Sequence, residues 1–171
     1  GVAPPRERLT LAELRAALED EGFENVSTVV ASGNVLFDHS RTADVKLEAR
    51  IAKVVKDRFG IDSFAAVRNE AELERAIEGN PFVADGEAKF VHTTFLSGAL
   101  DRDKFERFAR DYPGPERLAA GEREFFVDFC EGVARSQLDP AMRKAKVVQT
   151  RATARNVRSL RRILEKMRAD G

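Results

Sequence analysis

Apolar residues recur along this chain with two different periods, and the order in which those periods alternate limits the fold more than any other feature. A spacing near 3.6 residues marks a helix, whereas alternation or a short β-branched run marks a strand. Leu11, Leu14, Ala17 and Leu18 follow the helical period behind Thr10-Leu11-Ala12-Glu13, which has capping-box form, and Gly22 closes the segment. Residues 26–31 are β-branched and apolar, Ser32-Gly33-Asn34 is a turn, and Val35-Leu36-Phe37 is extended, which predicts a hairpin. Val45, Leu47, Ile51, Val54, Val55 and Phe59 predict a second helix over 43–59 that stops at Gly60. Residues 63–67 read as a short strand, and Asn69 with Glu72 caps a third helix that runs to Gly79.

The second half repeats this order: a strand over 89–96, a helix over 101–111, strands over 117–119 and 124–130, and a helix over 136–145. A strand over 147–150 and a last helix from about Ala154 to Met167 complete it. With one more strand ahead of the first helix, both halves read as βαββαβ. The expected fold class is therefore α+β, with two ferredoxin-like (split βαβ) subdomains in tandem, residues 1–84 and 85–171. The chain opens with Gly1 rather than Met, so the missing strand is expected upstream. No residue identity links the halves, so the repeat is one of topology.

Hydrophobic residues make up 43% of the 171 positions and charged residues 34%, as a folded and well-solvated protein requires. No apolar run reaches the length needed to span a bilayer, and no signal peptide opens the chain, so a cytoplasmic location is expected. The single cysteine, Cys130, excludes an internal disulfide and a thiolate metal cluster. It ends a strand rich in phenylalanine and reads as a small buried side chain. His39, expected exposed, and His92, expected half-buried within a strand, are too far apart to suggest a metal site, and no cofactor is expected. P-loop, dinucleotide-binding, zinc-protease and serine-hydrolase motifs are all missing.

The net charge is zero but unevenly built: residues 143–168 hold ten Lys/Arg against one acid, Glu165. Arg155, Arg158, Arg162 and Lys166 fall on one side of the predicted last helix, and Val157, Leu160, Leu164 and Met167 on the other. Ser136 and Thr153 each sit where a helix is expected to start, so free backbone N–H groups would lie beside arginines. An anion-binding site is thus expected from Arg135, Ser136, Arg151, Thr153, Arg155 and Asn156, with a further loop contribution from Ser32 and Asn34. The competing readings are plain: hydroxyl capping for the serine and threonine, ion pairs for the arginines, and a hairpin turn for Ser32-Gly33-Asn34.

Several stretches, in this order, resemble the family known as domain of unknown function (DUF) 1697: Ala12-Glu13-Leu14-Arg15, Ser32-Gly33-Asn34-Val35-Leu36-Phe37, Asn80-Pro81-Phe82, Thr94-Phe95-Leu96, Gly132-Val133-Ala134-Arg135-Ser136 and Thr153-Ala154-Arg155-Asn156. The resemblance implies a bacterial α+β protein of two related subdomains and no established activity. The tryptophan that usually follows the Arg-Asn pair in that family is Val157 here, which removes an aromatic platform from that point. Three functional readings stand: a binding module for an anionic small molecule or nucleic acid, a small enzyme with its site between the subdomains, and a protein-interaction module.

Overall fold

The computed structural model describes residues 10–29, 33–40 and 44–170. Local sequence signals place most of its elements. Helix α1 (Leu11–Asp20) opens with the expected capping box, in which the Thr10 hydroxyl accepts from the Glu13 N–H and the Glu13 carboxylate accepts from the Thr10 N–H. Strands β1 (Glu24–Thr28) and β2 (Val35–Asp38) pair antiparallel as the hairpin. Asp44 caps helix α2 (Val45–Phe59), and Gly60, at φ +67°, closes it in the left-handed conformation that a side chain resists. Asn69 and Glu72 form the second capping box, at the start of α3 (Glu70–Glu78).

The remaining elements are β3 (Val91–Leu96), α4 (Arg102–Asp111), β4 (Arg117–Ala120), β5 (Glu124–Asp128), α5 (Leu138–Ala145), β6 (Ala152–Asn156) and α6 (Val157–Asp170). Strands β3 to β6 form an antiparallel sheet in the order β4-β5-β3-β6. Its two faces bury different helices. Leu73, Ile77, Leu160 and Leu164 of α3 and α6 pack with Val91, Phe95 and Phe126 on one face. Phe105, Leu138 and Met142 of α4 and α5 pack with Leu96, Phe125 and Val127 on the other. A third core gathers Ala17, Leu18, Phe23, Val26, Leu47, Ile51 and Val54 from α1, β1 and α2, together with Val67.

The molecule is α+β, with a two-stranded and a four-stranded sheet among the described residues. Two expected strands are corrected. Residues 63–67 join no ladder; the Val67 N–H donates instead to the Glu48 carboxylate at 2.7 Å. Residues 147–150 are not a strand either, because Lys146 closes α5 in the left-handed region and Val147 turns into the core beneath α4 and α5. The strand that pairs with β3 is the more polar Ala152–Asn156, which lies at the sheet edge and needs no continuous apolar run. The last helix accordingly starts at Val157, not Ala154.

Glu48 joins the first-half core to the four-stranded sheet. It is 4% exposed and accepts from Arg68 Nη1 at 2.8 Å and from Arg123 Nη2 at 2.9 Å, in addition to Val67. Arg123 lies in the β4–β5 turn, and its carbonyl accepts from Arg68 Nη2 at 3.3 Å. The Arg68 guanidinium stands 5.2 Å from the centre of the Phe95 ring. Burial, reinforced by Arg123, lowers its pKa, and Glu48 opposes that shift. Removing one member of a buried charge pair strands the other. Glu48→Ala is expected to lower stability by about 3–5 kcal/mol, measured from the urea midpoint, whereas Lys53→Ala on the exposed side of α2 leaves the midpoint nearly unchanged.

Candidate functional site

Register fixes where the polar residues of β6 point. Thr93 lies opposite Arg155 and Phe95 opposite Thr153, so Thr153 and Arg155 share the sheet face that carries α3 and α6. Ala152 and Ala154 take the other face. This corrects the helical stripe: Arg155 belongs to a strand, and Thr153 opens no helix. Asn156 caps α6 instead, its Oδ1 accepting from the Ser159 N–H at 2.8 Å while its Nδ2 donates to the Lys89 carbonyl at 3.4 Å. The apolar phase of α6 is as expected, since Val157, Leu160 and Leu164 are buried. Lys166 does not face outward with the arginines; its Nζ donates to the Thr28 carbonyl at 2.6 Å.

Arg155 brings three of the sequence-selected residues together. Its Nε donates to Asn34 Oδ1 at 2.8 Å, its Nη1 to Thr153 Oγ1 at 2.8 Å and to the Ala154 carbonyl at 2.7 Å, and its Nη2 to the Gly33 carbonyl at 3.1 Å. The hairpin turn and the edge strand, 121 positions apart at Asn34 and Arg155, thereby meet at one guanidinium. Gly33 is required at this point: φ is +99°, and a Cβ there would lie 3.2 Å from Arg155 Nη2. Burial lowers the Arg155 pKa. Thr93, fully buried opposite it, has a hydroxyl without a hydrogen-bond partner among the described residues. Thr93 was not selected from the sequence, although a threonine in phase with Val91 and Phe95 is a signal for it. Ser32 lies outside the described residues.

The other selected residues lie elsewhere. Arg151 sits at the Leu96 end of the sheet, where its carbonyl accepts from the Ser97 N–H at 2.9 Å and its Nη1 pairs with Asp62 at 2.9 Å. Arg135 and Ser136 lie past the Asp128 end, in and after a 3₁₀ turn spanning Val133–Arg135. The Ser136 hydroxyl donates to the buried Glu116 carboxylate and accepts from the Leu138 N–H at 3.1 Å, so it serves the start of α5. Arg135 is exposed and forms no ion pair among the described residues. At the same end, Arg117 ties Asp85 to Asp128 and stands 4.7 Å from the centre of the Phe82 ring, which gives Asn80-Pro81-Phe82 a structural task.

Cys130 is corrected from buried to exposed, at φ +35° beyond β5. Local burial and then Asp128 raise its thiol pKa, the opposite of an activated nucleophile. His39 is not fully exposed: its ring packs at 4.4 Å on Phe23. His92 is half-buried against Phe129, with ring centres 4.9 Å apart. No group of His, Cys, Asp or Glu among the described residues could hold a metal ion, and no helix among them is long and apolar enough to cross a membrane.

A family model described as "Protein of unknown function (DUF1697)" matches residues 2–126. A solved structure of a conserved bacterial protein from Streptococcus pneumoniae superposes with a TM-score of 0.66 at 19% identity, covering 98% of this chain and 94% of the other. At that identity the likeness concerns the fold. No curated protein matches the chain.

Three outcomes are expected. Gly33→Ala should destabilise by about 1–2 kcal/mol through the positive φ. A double-mutant cycle of Asn34→Ala with Arg155→Ala should give a coupling of about 1 kcal/mol, read from urea midpoints. Burial lowers the His92 pKa from 6.5, so the unfolded chain binds the proton more readily. The stability that neutral His92 contributes is present above pH 6.5 and is lost as pH falls towards its depressed folded value. His92→Gln should flatten that part of a stability–pH curve.

Proposed function

The chain belongs to the DUF1697 family, which has no assigned activity, and we propose that it is a cytoplasmic binding module for an anionic small molecule held where the hairpin turn meets β6. The observation that carries this reading is the uncompensated charge of Arg155. Its guanidinium is half-buried and makes four hydrogen bonds, all to neutral oxygens, and no carboxylate pairs with it among the described residues. A partly desolvated cation without a counter-charge is costly, and a bound phosphate or carboxylate supplies that charge. One N–H of the five remains on Nη2 for a ligand oxygen.

A small anion fits better than nucleic acid. The basic segment divides over the two sides of the sheet: Arg143, Lys144 and Lys146 go with α5, whereas Arg158, Arg161 and Arg162 go with α6. A duplex or strand needs a continuous basic track. We read the two halves, 1–84 and 85–171, as related split βαβ units. The order β4-β5-β3-β6 with α4 and α5 on one face supports this for the second half. For the first half, the support is α1 and α2 sharing one core with β1.

Pyrophosphate, inorganic phosphate and a short single-stranded DNA are the probes for thermal-shift and calorimetric titration. Pyrophosphate should raise Tm saturably, and Arg155→Lys, which keeps the charge but loses the fork, should weaken binding at least tenfold. Equal responses of wild type and Arg155→Lys, or no response to any probe, would overturn the assignment. Binding to DNA alone, with affinity falling steeply as salt is added, would replace it with the nucleic-acid reading.

A further inference from the structure

We infer a second binding site, independent of Arg155, at the junction of the two halves, for an amphiphilic anion with an apolar body and one carboxylate, sulfonate or phosphate end. A cleft of about 410 Å³ opens there between α2, residues 62–64 and the Ser97–Arg151 end of the four-stranded sheet. That volume lies at the lower end of the range of about 300–1,000 Å³ that small-molecule sites occupy, and junctions are where such sites collect.

The helix wall of the cleft follows from sequence spacing. Val45, Ala49, Ala52 and Lys56 fall at i, i+4, i+7 and i+11 on α2, so they form one stripe. The two alanines leave room where longer side chains would fill it. Val45 is 49% exposed, an aliphatic group left open at the head of this stripe. Phe64 also lines the cleft. The body of the site is therefore apolar.

Its rim is cationic. Lys53 pairs with Asp57, and Arg151 pairs with Asp62 at 2.9 Å. Lys56 makes no contact ion pair among the described residues, and its charge acts on Asp62 from further off, behind Arg151. Glu48, at the base, is already shared between Arg68 and Arg123. Among the residues that line the cleft, three cations, Lys53, Lys56 and Arg151, stand against two carboxylates, Glu48 and Asp62, which leaves one positive charge in excess. One anionic head on a greasy body matches it; a polyanion lacks the cations and a neutral apolar molecule leaves the excess charge unmatched.

The test is a fluorescence titration with 1-anilinonaphthalene-8-sulfonate, carried out well below Tm, with uncharged N-phenyl-1-naphthylamine as comparator. One saturable site for the sulfonate is expected, with displacement by decanoate. Lys56→Gln, an exposed change that leaves the fold alone, should weaken sulfonate binding severalfold and leave the neutral probe unaffected. Ala52→Phe, which fills the cleft, should weaken both at least tenfold. Arg155→Lys should bind the sulfonate like wild type, which separates this site from the one at β6. Wild-type sulfonate affinity in both Lys56→Gln and Ala52→Phe would overturn the proposal, as would equal loss of both probes in Lys56→Gln.

Discussion

A single buried carboxylate ties the core around α1 and α2 to the four-stranded sheet. Glu48 sits in the first turn of α2, faces away from water, and is satisfied by one backbone N–H and two guanidinium groups drawn from residues 67, 68 and 123. A buried carboxylate without those donors would be intolerable, and without it the buried Arg68 and the partly exposed Arg123 would repel each other. The arrangement works only if α2, the extended run before α3 and the β4–β5 turn arrive at one point. Hydrophobic burial holds each core together, but it is not directional. The ion network supplies direction, because hydrogen bonds weaken steeply away from a narrow range of distances and angles.

Much of the fold was legible from local pattern. Both capping boxes, the left-handed glycine after α2 and the apolar phase of α6 are short-range facts, encoded within a few residues of where they act. What local pattern missed shares a different property. Residues 63–67 have strand-like composition, yet their donor at Val67 is taken by a side chain 19 positions earlier. Residues 147–150 are more apolar than 152–156, yet edge position, not hydrophobicity, decided which of them joined β3. Asn156 shows the same limit: cap or strand end is decided by whether the preceding residues find a partner strand, and that partner lies about sixty residues away.

The candidate site divides along the same line. Spacing and charge selected Arg155 and Thr153, and the turn offered Asn34 as a loop contribution; the fold brings the three to one point, with Arg155 working from a strand and not from a helix face. Arg135 and Ser136 sit at the far end of the sheet, and Arg151 faces the junction. Charge counts in a sequence report that cations are abundant; only the ladder register says which side of a sheet each one faces. Resemblance to a family whose activity is unassigned supplies the order of the motifs without their purpose, so the chemistry has to be argued from burial and hydrogen bonding.

The tie between the hairpin and the end of the chain also bears on how the protein is made. Asn34 and Gly33 are held by Arg155, and Thr28 by Lys166, the latter 138 residues downstream. A ribosome adds roughly 5–20 residues per second, so the hairpin emerges seconds before either of the side chains that fasten it. Its own two strands form a ribbon too small to be stable unaided. During synthesis the hairpin therefore leans on α1 and α2 alone, and its turn takes up its final seat only once Arg155 of β6 can reach it.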